Sequence, residues 1–168
     1  MKLKLNHNGF SLIELVIYIS IFVLILSIVI SFTVVFLRSY GNVEISNTIN
    51  NSAIVSLERM VREIRFAENI NTTLSILNSP QGRLVLNTND DIGQPLVLDF
   101  YLNNGVLELR KDGVYFGALT NKDVFVERLL FRLSNNGVSD IVKIEMDIKS
   151  TLGSLSKIET FLASALVR

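Results

Sequence analysis

The sequence predicts an α+β fold. One long amino-terminal helix, apolar all round in its first half and amphipathic in its second, packs on a carboxy-terminal antiparallel β-sheet. Three observations predict it. Residues 15–37 carry no charged side chain. Residues 38–70 lack proline and repeat apolar residues every three or four positions. Beyond Asn71 the chain breaks into short β-type runs separated by turn residues.

The first element begins with a polar leader, Met1–Gly9, which carries Lys2 and Lys4. An apolar stretch starts at Phe10, and Arg38 closes it. As a helix, the uncharged part covers about 34 Å at about 1.5 Å per residue, enough to cross a bilayer core of about 30 Å. A cleaved secretory signal fits poorly, because its apolar core spans only about 7–15 residues. The positive leader places the amino terminus in the cytoplasm and residues 38–168 on the far side.

Glu14 does not fit a plain anchor. A carboxylate beside hydrocarbon is costly, so it is either a functional group with a nameable partner or a snorkelling interfacial residue. Tyr18 lies one turn further on the same face. It is placed either to hydrogen-bond the carboxylate or to join an interfacial aromatic belt. Ser20, Ser27 and Ser31 share one face, as a small-residue contact or as ordinary filler.

The second half of the helix has an apolar face of Ile49, Ala53, Leu57, Met60, Ile64 and Ala67. Its other face carries Glu58, Arg59, Arg62, Glu63, Arg65 and Glu68 and reads as solvated. Glu58–Arg62 and Arg59–Glu63 are oppositely charged i,i+4 pairs, each worth a few tenths of a kcal/mol. Gly41-Asn42 is the expected weak point between the halves. The apolar face needs a sheet to cover.

The sheet is expected from runs at Arg83–Leu86, Leu96–Leu102, Val106–Arg110, Val114–Leu119, 142–149 and 158–167. Asn103-Asn104-Gly105, Lys111-Asp112-Gly113 and Asn135-Asn136-Gly137 are the expected turns. The run at 142–149 alternates cleanly, apolar on Val142, Ile144, Met146 and Ile148, and so reads as half-buried.

Composition narrows the function classes. The chain has 168 residues, 49% hydrophobic and 19% charged, with 16 basic and 16 acidic side chains. Mean hydropathy is +0.41, high for a soluble globule. Balanced charge argues against a nucleic-acid partner, whose phosphates demand net positive protein. Cysteine is absent, and the single histidine, His7, lies in the leader. Thiolate nucleophiles, disulfides and cysteine-ligated zinc are therefore excluded, and the commonest general base is missing from residues 10–168. Asn87, Asn89 and Asp91, with Gly93, fall short of a calcium loop and read as a polar turn, because Leu98 stands where an EF-hand needs its glutamate. Asp90-Asp91 reads as solvated. No metal, cofactor or catalytic residue is expected.

The string Gly9-Phe10-Ser11-Leu12-Ile13-Glu14, after a short basic leader and before a long apolar helix, resembles the processing site of type IV prepilins and type II secretion pseudopilins. The resemblance implies a pilin-like fold and the following layout: leader 1–9, transmembrane and assembly helix 10–37, and extracytoplasmic domain 38–168, with helix 38–70 and sheet 80–168. It implies cleavage by prepilin peptidase between Gly9 and Phe10, N-methylation of Phe10, and an assembly salt bridge between Glu14 of one subunit and the Phe10 amine of the next. Implied partners are the peptidase, other major and minor pilins or pseudopilins, the inner-membrane assembly platform and, before assembly, the bilayer. The implied location is a single-pass position in the bacterial inner membrane, followed by the pilus or pseudopilus.

The segment Leu57–Ala67 and the ending Glu159-Thr160-Phe161-Leu162…Leu166-Val167-Arg168 look like J-type minor pseudopilins and W-type minor pilins. Major pilins often carry a proline where this chain has Ser31, and many adhesive pilins carry paired cysteines. The resemblance thus implies a low-abundance structural subunit that helps initiate assembly and catalyses nothing. The alternatives are a major fibre-forming pilin, a competence-pilus component in DNA uptake, and a membrane-anchored enzyme or binding domain.

Overall fold

The computed structural model describes residues 11–135 and 139–167. Its contacts divide the chain into two units, residues 1–40 and 41–168. One helix, α1 (Leu12–Phe66), contributes to both.

In the first unit the described chain is almost entirely α1. Glu14 in its first turn complements the helix dipole. From Leu12 to Tyr40 every side chain is exposed except that of Glu14, which is half covered. Among the described residues, α1 is the one helix long and apolar enough to cross a membrane. The hydroxyls within it are turned onto their own backbone. Ser20 donates to Val16 O at 2.8 Å, Ser31 to Ser27 O at 2.9 Å and Thr33 to Val29 O at 2.9 Å. Back-bonding of this kind satisfies a hydroxyl that finds no water in hydrocarbon.

In the second unit α1 buries Ile45, Ile49, Ala53, Met60 and Ile64. Arg59 and Glu63 meet at 2.7 Å, as the i,i+4 spacing predicts. Arg62, expected to pair with Glu58, instead approaches Glu63 at 3.9 Å. The helix was expected to reach residue 70 and stops at Phe66. The reason is competition from the sheet. Glu68 N–H donates to Asn87 O at 2.9 Å, and β1 (Asn69–Ile70) pairs with Asn87 and Leu86. Thr88 Oγ1 then donates to Phe66 O at 3.2 Å, satisfying a carbonyl that the ended helix leaves open.

Among the described residues eight strands follow the helix in two antiparallel sheets, where the sequence predicts one. The first has the order β1, β2 (Leu84–Asn89), β3 (Pro95–Asn103), β4 (Val106–Lys111), β5 (Val114–Ala118). The second has the order β6 (Val124–Asn135), β7 (Asp140–Leu152), β8 (Leu155–Leu166). Hairpin β3–β4 turns at Asn104 (φ 49°) and Gly105 (φ 79°), and β4–β5 at Asp112 (φ 49°) and Gly113 (φ 79°). Positive φ at both central residues is what a two-residue primed turn requires, hence Asn-Gly and Asp-Gly. Of the third expected turn, Asn136 and Gly137 lie outside the described residues. Its flank Asn135 donates through Nδ2 to Asp140 Oδ1 at 2.7 Å.

The strand β6 went unrecognised in the sequence. Its inward residues change parity, from Val124 and Val126 to Leu129 and Phe131, because the register shifts between Val126 and Arg128. A bulge inserts one residue and reverses which side chains face inward. The two sheets are held together here. Val126 N–H donates to Gly105 O at 2.8 Å. Residues 78–82 lace along β6: Leu129 N–H donates to Pro80 O at 2.8 Å, and Gly82 N–H to Leu129 O at 2.7 Å. One hydrophobic core joins α1 to both sheets, with Phe100, Leu109, Phe131 and Ile144 fully buried.

Candidate functional site

The expected processing site straddles the start of the described chain. Gly9 and Phe10, like the rest of the leader, lie outside the described residues. Among the described residues the first helical hydrogen bond runs from Leu15 N–H to Ser11 O at 3.2 Å. Ser, with low helix propensity, suits this entry position. Glu14 follows in the first turn.

Glu14 and Tyr18 are brought together. Tyr18 OH donates to Glu14 Oε1 at 3.0 Å. The spacing of four residues puts both on one helix face. Around the pair the surface is apolar: Leu12, Ile13, Leu15 and Ile17 are all more than half exposed. A carboxylate presents about four acceptor sites, and one bond from Tyr18 leaves Oε2 for a further donor. The unit is thus an uncovered apolar helix with one acidic group at its entrance. In water such a surface is costly at roughly 25 cal/mol per Å², so it demands lipid or other apolar helices.

The second unit offers polar clusters that serve the fold. Asp90 closes the β2–β3 turn by accepting from Ile92 N–H at 3.0 Å and Gln94 N–H at 2.7 Å, with Gly93 at φ 80°. Asn87 Nδ2 donates to Asn69 Oδ1 at 2.7 Å, and Asn89 Nδ2 to Glu68 Oε1 at 2.5 Å. Both amides of this string thus tie β2 to the segment that follows α1. Arg83 donates to Asp99 through Nε and Nη2, each at 2.8 Å, and this bond raises the arginine's pKa. Arg110 stacks 4.0 Å from the Tyr101 ring centroid, and Tyr101 OH bonds Glu108. Burial, and then the Glu108 carboxylate, push the Tyr101 phenol up.

A groove of about 830 Å³ opens between the end of α1 and the β7–β8 pair, walled by Val61, Phe66, Ile141, Ala165 and Leu166. Arg62 and Arg65 stand at its rim. Nothing in the sequence pattern marked this groove, because it depends on β8 lying beside α1, a pairing that alternation does not encode.

Residues 4–30 match the family model described as the prokaryotic N-terminal methylation motif. Comparison with curated proteins and with solved structures returned no match. The matched segment holds Gly9, Phe10, Glu14 and Tyr18 together. It supports a type IV pilin-like or pseudopilin protein, processed by prepilin peptidase and assembling with other pilins, and with the apolar helix it fits a single-pass membrane anchor.

Proposed function

We propose that the chain is a minor pilin or pseudopilin, a structural subunit of a type IV pilus or type II secretion pseudopilus that helps initiate its assembly. The observation that carries this reading is Glu14. It is the one partly covered side chain in the otherwise exposed stretch Leu12–Tyr40, and it lies inside the matched methylation motif.

The chemistry follows from charge and burial. Cleavage after Gly9 frees a positive amine on Phe10. Inside a bundle of apolar helices that amine is desolvated and needs a counter-charge. Glu14 of a neighbouring subunit supplies it, and the pairing sets the axial stagger between subunits. Before assembly both groups lie near the bilayer surface, where their cost is smaller. Transfer from membrane to filament thus exchanges lipid for partner helices and two solvated charges for one buried pair. The leader stays in the cytoplasm and residues 38–168 face outward, following the charge bias. The assembly platform in the inner membrane is the expected partner at this step.

A minor role is supported by the amino-terminal helix. Ser31 stands where major pilins often have a helix-breaking proline, and α1 runs through it unbroken, with Ser31 bonded to Ser27 O. The likeness of Leu57–Ala67 and of the carboxy-terminal strand to J-type and W-type subunits points the same way. The reading gives the chain no catalytic role; it is itself the substrate of a peptidase and methylase. Co-production with a prepilin peptidase tests it. The chain should lose Met1–Gly9 and gain a methyl group on Phe10, and a chain left uncut by an active peptidase contradicts the reading.

A further inference from the structure

We propose that Tyr18 is a positioning residue for assembly: its hydroxyl holds the Glu14 carboxylate ready for a donor from a neighbouring subunit. The inference rests on the reading of the chain as a pilin or pseudopilin and adds a second residue to its assembly contact.

The geometry is direct. Tyr18 OH donates to Glu14 Oε1 at 3.0 Å, and between Leu12 and Tyr40 Glu14 is the one side chain that is not exposed but partly covered. A glutamate has three rotatable side-chain bonds, and fixing them on pairing costs entropy. A bond to a rigid aromatic hydroxyl one turn further along settles that cost before the partner arrives, which is how preorganisation raises affinity. Held by Tyr18, Oε1 is engaged and Oε2 remains open to a second donor.

The test is a series on the full-length chain in its producing cells, measured as the ratio of processed chain in filaments to processed chain in membranes. Tyr18→Phe removes the hydroxyl and keeps the ring. It should leave membrane level and processing unchanged and lower the ratio about tenfold, as expected for a hydrogen bond to a charged group. Adding Ile17→Tyr, three residues from Glu14, should restore the ratio, because i,i+3 neighbours meet. Adding Ile19→Tyr should not, although it returns an aromatic hydroxyl to nearly the same depth. A Tyr18→Phe ratio within twofold of wild type overturns the proposal alone. So does equal rescue from both new positions, which would assign Tyr18 to an interfacial belt. A wild-type chain that is never cut or never enters filaments overturns the reading beneath and the proposal with it.

Discussion

Arg128 on β6 grips Asp147 on β7 through two nitrogens, Nε at 2.7 Å and Nη2 at 3.3 Å. Thr160 Oγ1 adds a donor from β8 at 2.7 Å, so one carboxylate ties the three strands of the second sheet together. The Arg128 hydrogen bonds, opposed by burial and helped by Thr160, hold the Asp147 carboxyl below its ordinary 3.8. A depressed carboxylate contributes stability that is present above its unfolded pKa and lost as pH falls through the folded one. The full chain in detergent should therefore lose thermal stability as pH drops below 3.8. Asp147→Asn should be less stable at neutral pH and should show a shallower acid loss. Melting curves at both pH values check this.

Gly82 is predicted to tolerate no side chain. A Cβ there would stand 2.7 Å from Leu129 O and 2.8 Å from Phe131 Cδ2. One neighbour is backbone and the other a fully buried ring, so neither yields easily. Gly82→Ala should cost about 1–3 kcal/mol and lower the melting temperature by several degrees. Gly117 is the matched control: a Cβ there meets nothing, and Gly117→Ala should be neutral or slightly stabilising.

Ser56 ties the buried face of α1 to the segment after β5. Its Oγ lies 2.7 Å from Ser52 O and 2.9 Å from Leu119 O, and its single proton serves one carbonyl at a time. Ser56→Ala should cost about 1 kcal/mol, read as a lower urea midpoint at unchanged slope. Ser56→Val should cost more, because the site is fully buried and the added methyl groups have no room.

Much of the fold was legible because local rules and tertiary structure agree. The apolar positions Ile49, Ala53, Met60 and Ile64 are the buried stripe of α1. Asn104-Gly105 and Asp112-Gly113 demanded hairpins, and β7 buries the Val142, Ile144, Met146 and Ile148 face that its alternation announced. What stayed hidden depends on non-local pairing. The β6 bulge reverses the inward parity midway, and β1 is two residues long, present only because Asn87 and Leu86 receive it. The division into two sheets turns on which strand pairs with which, and no local pattern carries that. At the candidate site, Glu14 was conspicuous as a charge in an apolar run. Tyr18 was readable as one of two possibilities, and the 3.0 Å bond to Glu14 is the first of them.

Glu14→Ala should leave insertion intact, since it removes a charge from an apolar helix. It should sharply reduce incorporation into filaments, because the buried Phe10 amine of the neighbour would lose its partner, a loss of about 3–5 kcal/mol when one member of a buried pair is removed. Fractionation of membranes and sheared filaments measures both. Normal incorporation of Glu14→Ala would sink the inter-subunit pairing.

A minor pilin or pseudopilin would be cut after Gly9 and built into a filament as a scarce subunit. Quantitative mass spectrometry of sheared surface filaments and of membranes, tracking the peptide that begins at Phe10, tests it most directly. The account predicts an N-methylated Phe10 peptide in filaments at trace level beside an abundant pilin. An intact Met1–Gly9 leader, found only in membranes of cells with an active peptidase, would contradict it.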